Sequence, residues 1–144
     1  MTIEQLFSIC NAVALAGWII LIFLPGWYSS DKFIIGIIIT LFAFIYTWLI
    51  FSNFNLADFS KFSNLKGVMG LFMHPYIVTA GWIHYLAFDL LAGLFISKNA
   101  KANGISHWLV IPCLLFTFML GPLGLLLYLL IRFIVTGNYF ESNF

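Results

Sequence analysis

The sequence predicts an all-α integral membrane protein, a bundle of four transmembrane helices, and three observations predict it. The composition is 63% hydrophobic and only 8% charged, with a mean hydropathy of +1.08. A water-soluble core of 144 residues could not hide that much apolar surface. The apolar residues come in continuous runs of about twenty or more, the length that crosses a hydrocarbon core about 30 Å thick. Such runs lack the alternation of a barrel strand. Third, the 17 Phe and 5 Trp suit a lipid-facing surface with aromatic belts.

The first span is expected over 6–24, stopped by Pro25-Gly26. The opening MTIEQLFSIC has no basic leader and carries Glu4, so this run reads as a retained span rather than a cleaved signal. The second span covers 33–51. The connection that follows spaces Leu56, Phe59, Phe62, Leu65, Met69 and Phe72 three or four apart, with Asp58, Lys61, Ser63 and Lys66 between them. That pattern predicts an amphipathic segment over about 54–72 lying in the membrane interface. Gly67 and Gly70 are expected to break it. The third span covers 75–96, with Pro75 at its first turn. The fourth covers 108–135 and ends near Gly137-Asn138.

Four crossings would place Lys61, Lys66 and Arg132 on one side of the membrane and Lys32, Lys98 and Lys101 on the other. Three against three leaves the positive-inside rule nothing to act on. Net charge is +1, which offers no basic patch for nucleic acid. Cys10 and Cys113 both fall in apolar runs and do not read as a disulfide framework. Three dispersed His do not offer a clustered metal site, and no Gly-rich phosphate loop is present, so neither a metal nor another cofactor is expected.

The chemistry is concentrated in GWIHYLAFDLLAG, residues 81–93. Ionisable groups within a span are costly and mark function by default. His84 and Asp89 stand about 7.5 Å apart along a helix axis and about 140° apart around it. Asp89 shares a face with Trp82, Tyr85 and Ala92, whereas His84 shares one with Gly81, Phe88 and Leu91. Counting back from the turn between spans three and four, Asp89 falls level with Thr117, His84 level with Gly121-Pro122, and Arg132 beside Pro75. Pro122 cannot donate to the carbonyl of Phe118, which predicts a kink inside the membrane. The candidate site is therefore the pair Asp89 and His84, with Trp82, Tyr85, Phe88, Thr117, Gly121 and Pro122 around it. The structural alternative is that His84 bonds a carbonyl of a neighbouring helix and a protonated Asp89 bonds Thr117 or Tyr46.

GVMGLFMHP (67–75), GWIHYLAFDLLAG (81–93) and PCLLFTFMLGPLGLLLYLLIR (112–132) together resemble the abscisic-acid-deficient-four-like family of small membrane proteins. The resemblance covers about half the chain, 65–132, and the first two spans share only its hydropathy. Plant members are associated with neoxanthin synthesis in plastid membranes. The resemblance implies a protein that acts on, or binds, a carotenoid or related isoprenoid alongside membrane lipid. It also implies an epoxide-opening isomerisation, for which an acid and a base are needed. The plant proteins begin with a transit peptide and this chain does not, which points to a bacterial cytoplasmic membrane. The alternative from another class is a non-catalytic carotenoid- or lipid-binding protein, or an assembly partner. A small transporter fits less well without inverted repeats. Exposed faces rich in Phe and Gly would serve a homo-oligomer as well as lipid.

Overall fold

A computed structural model describes residues 1–137. Among them every regular element is helical and no strand occurs. Helix α1 (Ile3–Phe23) starts at a capping box: the Thr2 hydroxyl accepts from the Gln5 N–H, and the Gln5 side chain accepts from the Thr2 N–H. It ends at Leu24, before Pro25 as expected. The second span is one helical rod, Ser30–Asn53. Within it, α2 (Ser30–Phe33) and α3 (Thr40–Asn53) are joined by π-helical turns over Ile34–Ile39. The N–H and the hydroxyl of Thr40 both donate to the Ile35 carbonyl five residues back, which holds the wider turn.

The stretch expected at the interface folds as a 3-10 helix, Leu56–Ser63, followed by α4 (Leu65–Leu71). Leu56, Phe59, Phe62, Leu65 and Met69 are all exposed, as a face laid against lipid requires. The break lies at Asn64 rather than at the glycines. The Asn64 side chain accepts from the Gly67 N–H and caps α4. Gly67 packs so closely on the Lys61 carbonyl that a β-carbon would not fit, so this glycine permits an approach and does not end a helix.

Helix α5 (Pro75–Ala102) begins with Pro75 in its first turn and runs six residues past the expected 96. It is the axis of the molecule and packs on α1, α3, α6 and α7. Leu90 fits against Gly17 of α1, and Gly93 receives the ring of Trp18. The rods Ile3–Phe23, Ser30–Asn53 and Pro75–Ala102 are the three helices long and apolar enough to cross a membrane.

The fourth crossing is not a single helix. The chain breaks into α6 (His107–Leu120) and α7 (Pro122–Thr136) at Gly121, which has φ +30°. The two pieces fold back on one another. Gly124 lies against the backbone of Thr117 and the carbonyl of Cys113, residues that a continuous helix would keep more than about 10 Å away. At the entrance of α6, the His107 ring pairs at 2.8 Å with the carbonyl of Ile22 near the end of α1. At the far end of α7, Arg132 donates to Asn99 at 3.1 Å and Tyr128 donates to the same oxygen, three residues from the end of α5. Both ends of the pair therefore lie on one side of the molecule, with the Gly121 tip against Asp89, midway along α5. Each arm is about 21–23 Å long, too short for a core about 30 Å thick.

The expected single helix over 108–135 is thus a re-entrant hairpin, and Arg132 sits by Asn99 rather than by Pro75. The hairpin ends at Gly137, φ +72°; Asn138 of the expected stop lies outside the described residues.

Candidate functional site

Asp89 is 8% exposed and points at the hairpin tip, where a β-carbon on Gly121 would overlap its carboxyl. Gly121 is the cap residue of α7, so the positive end of that helix's peptide dipoles faces the carboxyl. One carboxyl oxygen of Asp89 is buried without a hydrogen-bond partner among the described residues. Tyr85, one turn earlier on α5, donates its hydroxyl to the Met119 carbonyl at 3.0 Å, just before the tip, and interacts with Asp89. A further turn back, Trp82 donates its indole N–H to the Asn11 side chain at 3.0 Å. Its ring packs on Phe7 and on Tyr85, with centroids 5.6 and 5.3 Å apart.

The result is a strip along α5, Trp82–Tyr85–Asp89, that leads to the tip. The hairpin descends only to the level of Asp89. Beyond its tip the strip is uncovered: Trp82 is 40% exposed and Met119 70%. An apolar molecule has room to lie there, with the Asp89 carboxyl at the inner end.

Gly121 and Pro122 are at this site, but not as a kink: Pro122 opens α7. The register is shifted by about one turn from the expected one, because α5 runs six residues past the end that hydropathy indicates, while α6 starts at His107, close to the expected 108. Thr117 is not beside Asp89. It is fully buried, donates to the Cys113 carbonyl at 2.8 Å, and is covered by Gly124. His84 and Phe88 are not at this site either. They occupy the opposite face of α5, where the His84 ring lies 4.5 Å from Phe88 and 5.7 Å from Tyr46 of α3. The structure does not bring His84 to Gly121-Pro122 or to Asp89, as the angle of about 140° between their faces already implied.

Two features escaped sequence reasoning. Asn11 gave no signal, being one amide in an apolar run. Asn99, Tyr128 and Arg132 form a buried polar cluster that anchors α7 to α5. Tyr128 and Arg132 are four apart on one helical face, and that spacing was the signal available.

The family model described as ABA DEFICIENT 4-like matches residues 5–128. The chain belongs to this family. No curated protein and no solved structure matches it. The family match extends over α1 and the second span, well beyond the 65–132 stretch whose motifs carried the resemblance, and it takes in both Asp89 and the hairpin tip. Membership and the three long apolar helices fit a membrane protein. They give no support to the bacterial cytoplasmic membrane in particular.

Proposed function

We propose that this ABA DEFICIENT 4-like protein acts inside a membrane on an oxygenated carotenoid or related isoprenoid, and that Asp89 is the group that moves its proton. The observation that carries the reading is the buried, unpartnered carboxyl oxygen of Asp89 at the tip of a hairpin that reaches only halfway along α5. A neutral polar group buried without its hydrogen bond costs about 2–7 kcal/mol. A ligand oxygen would fill that gap. Family membership supports an isoprenoid of the carotenoid class as the ligand.

The chemistry the site suits is an isomerisation without redox change. The acid form of Asp89 gives its proton to an epoxide oxygen as the C–O bond opens. The carboxylate so formed takes a proton from a neighbouring carbon, and the acid form is regenerated. Tyr85, not His84, stands beside it: its phenol, held by the Met119 carbonyl, orients the carboxyl. Trp82 and Phe7 give the apolar body of the substrate a surface on the uncovered strip.

The test is expression in a host that makes epoxy-carotenoids, followed by separation of its pigments. A product of unchanged mass is expected, with at least about 100-fold less in Asp89→Asn, the scale of a lost acid-base group. Tyr85→Phe is expected to lower the yield less. A protein that carries unaltered pigment, in equal amount with and without the Asp89 carboxyl, would make it a binding protein and remove the catalytic reading.

A further inference from the structure

On the opposite face of α5 lies a second feature that the Asp89 chemistry does not use. A groove of about 430 Å³ runs between α3 and α5. Phe42, Ile83, Ala87 and Phe88 wall it, and only two of its lining side chains are polar: His84 and Tyr46. Their rings are 5.7 Å apart, tilted by 45°. Neither side chain makes a hydrogen bond among the described residues. His84 is nine residues into α5, so it lies about 13 Å from that helix's start and inside the hydrocarbon core. The second span lines the groove from Ile39, the last residue of its π-helical turns, to Tyr46, and such turns recur at functional sites.

We propose that this groove holds one hydroxylated end of an isoprenoid, with the hydroxyl seated between His84 and Tyr46. An imidazole has one ring nitrogen that donates and one that accepts, and a phenol can do both. A single hydroxyl placed between them accepts from one and donates to the other. An acyl chain of a membrane lipid would fill the same space but bring no oxygen, leaving both groups unpaired in hydrocarbon. The walls are hydrocarbon and aromatic, which suits a ring and its attached polyene and excludes a charged headgroup. The site is assigned to holding a ligand rather than transforming it: beside the imidazole its only other polar lining group is the Tyr46 phenol of α3, and no carboxylate, Lys or Cys lines it. It rests on the reading that the ligand is an oxygenated isoprenoid, and extends that reading to a second, hydroxyl-selective site.

Zeaxanthin and β-carotene are suitable probes, because they share one carbon skeleton and differ by two hydroxyl groups. Binding to the purified full chain is measured by quenching of tryptophan fluorescence. Zeaxanthin is expected to bind at least about fivefold more tightly, the worth of a hydrogen bond that would otherwise be missing. His84→Leu combined with Tyr46→Phe is expected to bring zeaxanthin down to the affinity of β-carotene and leave β-carotene unchanged. His84→Gln, which keeps a donor and an acceptor, is expected to retain the preference. If the double variant loses both pigments, Tyr46→Phe alone, which removes one oxygen, decides by the size of the preference it keeps. Equal binding of the two pigments by the unaltered chain overturns the proposal. So does a preference that survives the double variant, or one abolished by Asp89→Asn, which would place hydroxyl recognition at the hairpin tip. Absence of pigment conversion in the expression host, with the preference intact, would instead defeat the catalytic reading and leave the groove standing.

Discussion

Individual residues decide whether the site exists, and two glycines show how. Gly121 has a positive φ and leaves no room for a β-carbon beside the Asp89 carboxyl. Gly121→Ala therefore combines backbone strain with a steric overlap, and is expected to lower stability by about 2 kcal/mol or more. Gly26, with open space around it, is the control: Gly26→Ala is expected to stay within about 0.5 kcal/mol. Thermal unfolding in detergent separates the two. Asp89 was legible in the sequence because a carboxylate inside an apolar run demands a reason. Its partner was not, because a register counted from the end of an apolar run inherits any error in where the helix ends. The His84–Asp89 pairing failed for a plainer reason: five residues do not return a helix to the same face.

Elements carry the next set of consequences. Hydropathy reports where a helix leaves the hydrocarbon, not where it stops being a helix. Helix α5 continues through Ser97, Lys98 and Asn99 to Ala102, and that polar last turn anchors the hairpin. Asn99 accepts from both Tyr128 and Arg132. Asn99→Leu removes that acceptor from two buried donors and is expected to destabilise the protein by about 3 kcal/mol, read as a loss of resistance to denaturing detergent. The re-entrant pair itself left one legible trace. An apolar run over 108–135 would make a helix about 42 Å long, more than one crossing needs, and a Gly-Pro step sits near its centre.

The interfacial segment is held differently. Asp58 accepts from the Asn55 N–H and pairs with Lys61 at 2.7 Å. The Lys61 ammonium and then the Asn55 N–H hold the Asp58 carboxyl below its ordinary range. A lowered pKa means that these contacts contribute fully above the ordinary carboxylate value, about pH 4, and are lost as pH falls through the lowered one. Hydrogen exchange over residues 55–63 is expected to be unchanged from pH 8 to 5, after correction for the intrinsic rate, and to quicken below. Asp58→Asn should abolish that step.

For the whole molecule, the hairpin changes the arithmetic of sides. Arg132 joins Lys32, Lys98 and Lys101, leaving Lys61 and Lys66 opposite, so the six cations divide four to two rather than three to three. By the positive-inside rule the loop after α1, the end of α5 and the end of α7 are expected on the face from which the chain is inserted, and residues 56–71 on the opposite face. Single cysteines in a Cys10→Ala/Cys113→Ala background test this with an impermeant thiol reagent. Ser29→Cys and Gly137→Cys are expected to label from one side, and Ser63→Cys from the other. Labelling of Gly137→Cys together with Ser63→Cys would mean that α6 and α7 cross the bilayer as one helix.

A hairpin that enters and leaves by the same face also constrains how the chain reaches its final form. The three long rods can each partition into the bilayer on their own hydrophobicity, one after another, as they are synthesised. Residues 107–136 have no such independent route. Their tip exposes backbone at mid-depth, and their Arg132 and Tyr128 need Asn99 already in place. Completing this fold therefore takes a separate step, in which a three-helix receptacle admits the hairpin as if it were a ligand. Asp89 meets Gly121 only at that step, so a chain arrested earlier would hold its three long helices without the proposed site.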